Sequence, residues 1–145
     1  MGVIEIFSPQ SVEPRLVEFV NRMLSQLTSD FHPMQESDLE RLLDSESSQL
    51  YIISVDGESV GMLTLCHYYA PTGSKAWVED VVVDSADRGL GLGRRLIEHA
   101  LSQAQELSPC SVMLTSRPSR IEANQLYQKE GFEPRQTNVY RYKIK

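Results

Sequence analysis

The chain has 145 residues, 41% hydrophobic and 23% charged, which suits one soluble globular domain spanning 1–145. Its 14 basic and 20 acidic residues leave a net charge of -6 with no dense Lys/Arg run, which argues against a nucleic-acid partner. No apolar stretch approaches the roughly 18 residues of a membrane span, no signal peptide opens the chain, and Ile6 stands where a myristoylation site needs Ser or Thr. A cytoplasmic protein with no membrane partner is therefore expected. Cys66 and Cys110, both in strand-like apolar runs, read as small core residues of a reducing compartment. His32, His67 and His99 lie too far apart in sequence for a metal-ligand cluster, so no metal site is expected.

Val3 to Phe7 predicts a first strand. Ser8-Pro9 then offers an N-cap and a proline at the first helical position, and Leu16, Phe19, Val20, Met23, Leu24 and Leu27 recur at helical spacing. The polar, turn-rich "TSDFHPMQE" is expected to form a mobile lip, and "SDLE" at Ser37 to Glu40 reads as a capping box opening a short second helix. "QLYIISVDGESVGMLTLCHYY" is two strands around Asp56-Gly57, a strong hairpin signal, and "KAWVEDVVVD" from Lys75 to Asp84 is a third. A glycine turn follows, then a helix with Leu92, Leu96, Ile97, Ala100, Leu101, Ala104 and Leu107 on its apolar face, and a buried strand "SVMLTS". "SRIE" at Ser119 to Glu122 reads as a capping box for a last helix stopped by Gly131, and "TNVYRYKIK" alternates like a final strand. The order is β-α-α-β-β-β-α-β-α-β: a mixed α/β (α+β) domain with a central mixed sheet flanked by helices.

The glycine turn, "DRGLGLGRRLI" from Asp87 to Ile97, is the first chemical signal. A dinucleotide fingerprint G-x-G-x-x-G fails from Gly89 because position 94 is Arg94, and from Gly91 because position 96 is Leu96. A P-loop fails because Arg94 stands where its second glycine belongs. What remains is Arg88-x-x-Gly91-x-Gly93 between a strand and a helix, with Arg88, Arg94 and Arg95 close by. Backbone N–H groups at a helix N-terminus favour an anion such as a pyrophosphate; a tight turn with glycines for conformation alone is the other reading.

Together with the strand "VEDVVVD" and the separate "ANQLYQKEGF" at Ala123 to Phe132, this turn resembles the GNAT (Gcn5-related N-acetyltransferase) superfamily, over roughly Ser59 to Phe132. The R/Q-x-x-G-x-G/A signature is met by Arg88, Gly91 and Gly93. The resemblance implies the GNAT fold and acetyl-CoA as co-substrate. Its pyrophosphate would lie on the turn of Arg88, Gly89, Leu90, Gly91, Gly93 and Arg94, and its pantetheine arm would add alongside Val81, Val82 and Val83, as in β-augmentation. An asparagine of the family's pattern is replaced here by Arg120, and Asn124 takes its place as a coenzyme contact.

Acetyl transfer to an amine needs a base, because an alkylammonium with pKa about 10.4 has almost no lone pair at neutral pH. Glu79 is the expected base; alternation along the strand would put it on the face of Val81 and Val83. Asp80 competes, and a solvated or arginine-bonded pair is the structural reading of both. The resemblance assigns Tyr127 as general acid toward the coenzyme thiolate; packing against the sheet is its alternative. It also makes the acceptor the primary amine of a small molecule, similar to the amino-sugar phosphates of the superfamily, with Arg117, Arg120 and Arg135 for a phosphate. Phe31, Tyr68, Tyr69 and Tyr140 either line an acceptor pocket or pack ordinarily. A protein or peptide acceptor and a non-catalytic acyl-CoA-binding module are the competing functions, and the superfamily admits a homodimer.

Overall fold

Asp56 and Gly57 take positive φ values of 51° and 82°, the two left-handed residues that let a two-residue hairpin follow the strand twist. They join two strands of a sheet seen in the computed structural model, which describes residues 2–145. The chain divides into a larger unit, Met1–Thr115, and a smaller one, Ser116–Lys145.

The larger unit holds a five-stranded sheet in sequential order: β1 (Ile4–Phe7), β2 (Ser48–Val55), β3 (Glu58–Ala70), β4 (Gly73–Val83) and β5 (Cys110–Met113). The first four strands pair antiparallel and β5 joins β4 in parallel. Two helices, α1 (Pro14–Leu27) and α2 (Glu36–Asp44), precede β2, and α3 (Leu92–Ala104) links β4 to β5.

Strand alternation sorts the two faces. Leu50, Ile52, Met62 and Val82 are buried in one cluster with Phe19, Val20 and Met23 of α1 and Leu39 of α2. On the opposite face Tyr51 meets His99 of α3 edge-on, with ring centroids 4.6 Å apart. Gly61 shares that second face: a Cβ there would come within 3.3 Å of Val83 and 2.9 Å of Ile53. Leu92, Leu96, Ile97 and Ala100 of α3 are all buried. At the strand end, α1 braces the chain: Arg22 pairs with Asp84 at 3.5 Å, and Gln26 accepts from the Ser85 amide at 2.7 Å.

Three predicted starts moved. The first helix begins at Pro14 rather than after Ser8-Pro9. A start at Pro9 would bury Pro14 inside the helix, where its ring and missing N–H break the ladder, whereas at the first turn they cost nothing. The box opening α2 is Gln35 with Asp38, two residues before "SDLE". The "SRIE" box does not form: Arg120 occupies the N-cap with no side-chain bond, and the Asn124 amide instead donates to the Arg117 carbonyl at 2.9 Å. The predicted lip is a tethered segment, since Asn21 of α1 both donates to the Met34 carbonyl and accepts from its amide.

In the smaller unit, α4 (Ile121–Lys129) is stopped by Gly131 at φ 101°, as expected. The final strand is absent: residues 132–145 form no strand, and Val139, Tyr140, Tyr142 and Ile144 are exposed. Alternation says how a strand would divide its faces; without a partner edge it does not make one. Cys66 and Cys110 are free and half-buried rather than core residues.

Candidate functional site

Gly89 and Gly91 take φ values of 83° and 77°, where an L side chain costs roughly 1–2 kcal/mol. A Cβ at either would meet nothing within 4 Å, so conformation demands these glycines and their surroundings stay open. Gly91 is the N-cap of α3, a 13-residue helix with no acidic side chain in its first turn. Its first-turn amides and positive dipole end fit a pyrophosphate. The arginines have structural partners as well: Arg88 donates from Nε to the Val83 carbonyl at 3.1 Å, and Arg94 pairs with Glu98 at 2.6 Å.

Upstream of the turn, β4 outruns its neighbour. The parallel ladder with β5 covers only Ser74–Trp77 against Cys110–Met113, whereas β4 continues to Val83. From Val78 onward β4 has β3 on one side and, among the described residues, no strand on the other. An extended ligand carrying amides can add to such an edge. Val82 offers only its backbone there, because its side chain belongs to the α1–α2 core.

A bulge in this strand corrects the expected placement of Glu79. Thr64 pairs with Glu79, but Met62 pairs with Val82, so Leu63 faces two residues, Asp80 and Val81. Asp80 takes φ 50°, the left-handed conformation that aspartate tolerates better than most residues. The extra residue reverses the parity. Glu79 lies on the α1–α2 face with Thr64 and Leu50, while Val83 lies on the α3 face; they do not share one.

Both carboxylates are exposed and both are pushed above the ordinary carboxylate range. For Glu79 the cause is partial desolvation first and the neighbouring Asp80 charge second; for Asp80 it is desolvation. A raised carboxylate is a stronger base than a fully solvated one, as proton abstraction from an ammonium requires.

Upstream of the bulge, ordinary alternation gathers further residues on the face of Glu79. Lys75, Trp77 and Glu79 share the α1–α2 face, and the Trp77 indole N–H donates to the Tyr68 hydroxyl at 3.3 Å. Thr64, buried and directly opposite Glu79, completes the floor. The available signal for the bulge was Asp80 itself, a left-handed-tolerant residue inside a β-branched run. Of the other proposed lining residues, Tyr69 lies off this face, 74% exposed and edge-on to His67; Phe31 is half-buried, and Tyr140 is exposed.

In the smaller unit, Tyr127 is buried on α4 and meets Phe132 edge-on at 6.1 Å. Burial raises its phenol above the ordinary value, with Arg120 acting in the opposite sense, so it stays protonated at neutral pH and able to donate. Asn124 is half-buried and donates to Arg117; Arg117, Arg120 and Arg135 are exposed. Among the described residues no group of three His, Cys, Asp or Glu could hold a metal ion, and no helix is long and apolar enough to cross a membrane.

A five-stranded mixed sheet flanked by helices, with a helix-capping glycine turn after its open, bulged strand, matches the fold of GNAT acetyltransferases. Residues 17–132 match the Acetyltransferase (GNAT) family, so the chain belongs to that family of N-acetyltransferases, whose co-substrate is acetyl-CoA. Streptothricin acetyltransferase of Escherichia coli is 27% identical over 128 residues, 88% of this chain and 68% of that protein. Two solved structures share the fold. Glucosamine-6-phosphate N-acetyltransferase from Arabidopsis thaliana has a TM-score of 0.77 at 20% identity, covering 97% of this chain and 98% of that one. An aminoglycoside acetyltransferase from an uncultured soil metagenomic sample has a TM-score of 0.78 at 20% identity, covering 99% and 96%.

Proposed function

We propose that residues 1–145 form one acetyl-CoA-dependent N-acetyltransferase domain that acetylates the primary amine of a small molecule. The observation that carries this reading is the end of β4: its β5 ladder stops at Trp77, so Glu79 and the bulge after it sit on an edge that, among the described residues, has no partner strand and leads into the Gly89–Gly91 turn. When bound, acetyl-CoA supplies an activated acyl group as its thioester. The chain's own residues do the rest. The α3 N-terminus with Arg88 and Arg94 holds the pyrophosphate, and the backbone of Val81, Val82 and Val83 aligns the pantetheine arm. N–H groups of that edge face the charge that develops on the acyl oxygen.

Glu79 takes the proton from the acceptor ammonium, directly or through water, and leaves a lone pair on nitrogen. Tyr127, through the family's "ANQLYQKEGF" element, is the donor to the departing thiolate, and Asn124 is a coenzyme contact. Streptothricin, an aminoglycoside and glucosamine 6-phosphate, the compounds in the relatives' names, are small molecules, which supports a small acceptor.

The test is release of free coenzyme thiol from acetyl-CoA against a panel of small amines and one lysine-containing peptide. Saturable release with small amines, lost with Glu79→Gln, is expected. Release with the peptide alone, or none from folded protein, would overturn the reading.

A further inference from the structure

Glu79, Trp77 and Lys75 follow one another at two-residue intervals on one face of β4, about 7 Å apart. They form a row of carboxylate, aromatic ring and ammonium. Trp77 and Tyr68 are absent from the core cluster that α1 and α2 bury on this face, and Tyr68 is 46% exposed. Their hydrogen bond ties two aromatic side chains together on the face of the proposed base. The Lys75 side chain, cross-strand from Tyr68, makes neither a hydrogen bond nor an ion pair among the described residues.

We propose that the Trp77–Tyr68 pair is an acceptor shelf, so that the enzyme favours amines borne on a ring whose far end is neutral or anionic and disfavours linear polyamines. This deepens the proposed acetyl transfer and rests on it. A ring seated on the two aromatic faces would bring its amine to Glu79, and the far end of the molecule would reach Lys75. A second ammonium there meets a like charge. At about 7 Å in water that repulsion lowers relative binding about threefold.

The chain has a single tryptophan, so its fluorescence reports on the shelf directly. The probes are an amino-hexose, its 6-phosphate and 1,5-diaminopentane, each titrated into the protein with coenzyme A present and each assayed for thiol release from acetyl-CoA. Saturable changes in Trp77 emission with both hexoses, and none with the diamine, are expected. Trp77→Leu and Tyr68→Leu should raise KM for the hexoses about 3- to 10-fold with kcat within twofold, and leave KM for the diamine unchanged. Trp77→Phe, which keeps a ring should the leucine variant fail to fold, should recover most of the loss. Lys75→Gln should improve the diamine about threefold.

Turnover of the hexoses with unchanged emission and unchanged KM in the Trp77 variants would overturn the shelf and leave acetyl transfer standing. Preference of the unmodified enzyme for the diamine would do the same. Thiol release with no amine at all would overturn the acetyl-transfer reading, and the shelf would fall with it.

Discussion

The glycine turn and the face of β4 around Glu79 lie within about ten residues of each other, yet they are built in different ways. The turn is made by backbone: two positive-φ glycines and the amides of a helix end, with arginines held by Val83 and Glu98. Any sequence that keeps those glycines keeps the turn. The Glu79 face is made by registration. One inserted residue at Asp80–Val81 puts Val82 rather than Val83 on the carboxylate's face, and that residue acts through pairing with β3 rather than through local preference. On the proposed function, a coenzyme common to a whole family would be met by backbone, and an acceptor particular to one enzyme by side chains.

If this division holds, substitutions on the face should change turnover and spare coenzyme binding, and substitutions in the turn should do the reverse. The largest effect is expected from Glu79→Gln, a fall of about 10²- to 10⁴-fold in kcat with acetyl-CoA affinity unchanged, checked by thiol release and calorimetry. Because the Glu79 carboxyl is raised above its ordinary value, activity should climb as pH rises through that raised pKa, and the variant should lose this acid limb. The same shift has the opposite sign for folding. A carboxylate that is easier to protonate in the native state binds more protons there, so its contribution favours folding below the raised pKa and is lost as pH rises through it. Stability measured across that window should therefore flatten in Glu79→Gln.

Next comes Leu39→Ala, beneath the face and fully buried, which should destabilise the protein by about 2–5 kcal/mol in urea without altering coenzyme affinity per folded molecule. Gly91→Ala should cost about 1–2 kcal/mol of backbone strain and weaken acetyl-CoA binding, with kcat at saturating coenzyme little changed. The smallest effect is expected from Asn21→Ala. It removes the two hydrogen bonds holding Met34, at a cost of about 1–2 kcal/mol, read as faster hydrogen exchange confined to residues 28–35.

Much of this architecture could be read from sequence because local chemistry specified it. Asp56-Gly57 needs both residues left-handed, Gly131 stops a helix, and the stripe from Leu16 to Leu27 can only face a core. The turn was readable for the same reason. The helix starts at Pro14 and Gln35 were not, since several residues could cap and the choice was settled by which proline falls in a first turn and which side chain reaches an amide. Parity beyond Glu79 was unreadable because an alternating pattern carries no mark of one extra residue; Asp80 was a hint only in retrospect. Trp77, two residues before Glu79 and upstream of the bulge, shares its face by simple alternation, but nothing local marks its hydrogen bond to Tyr68, and the alternating tail after Gly131 pairs with no strand edge.

The most direct measurement is a calorimetric titration of acetyl-CoA into the folded protein and into Glu79→Gln, with turnover measured on the same samples. Saturable one-to-one binding of equal affinity in both, with turnover lost only in the variant, is the expected result. No binding to the folded protein, or equal turnover in the two, would contradict a coenzyme turn served by a base on the neighbouring face.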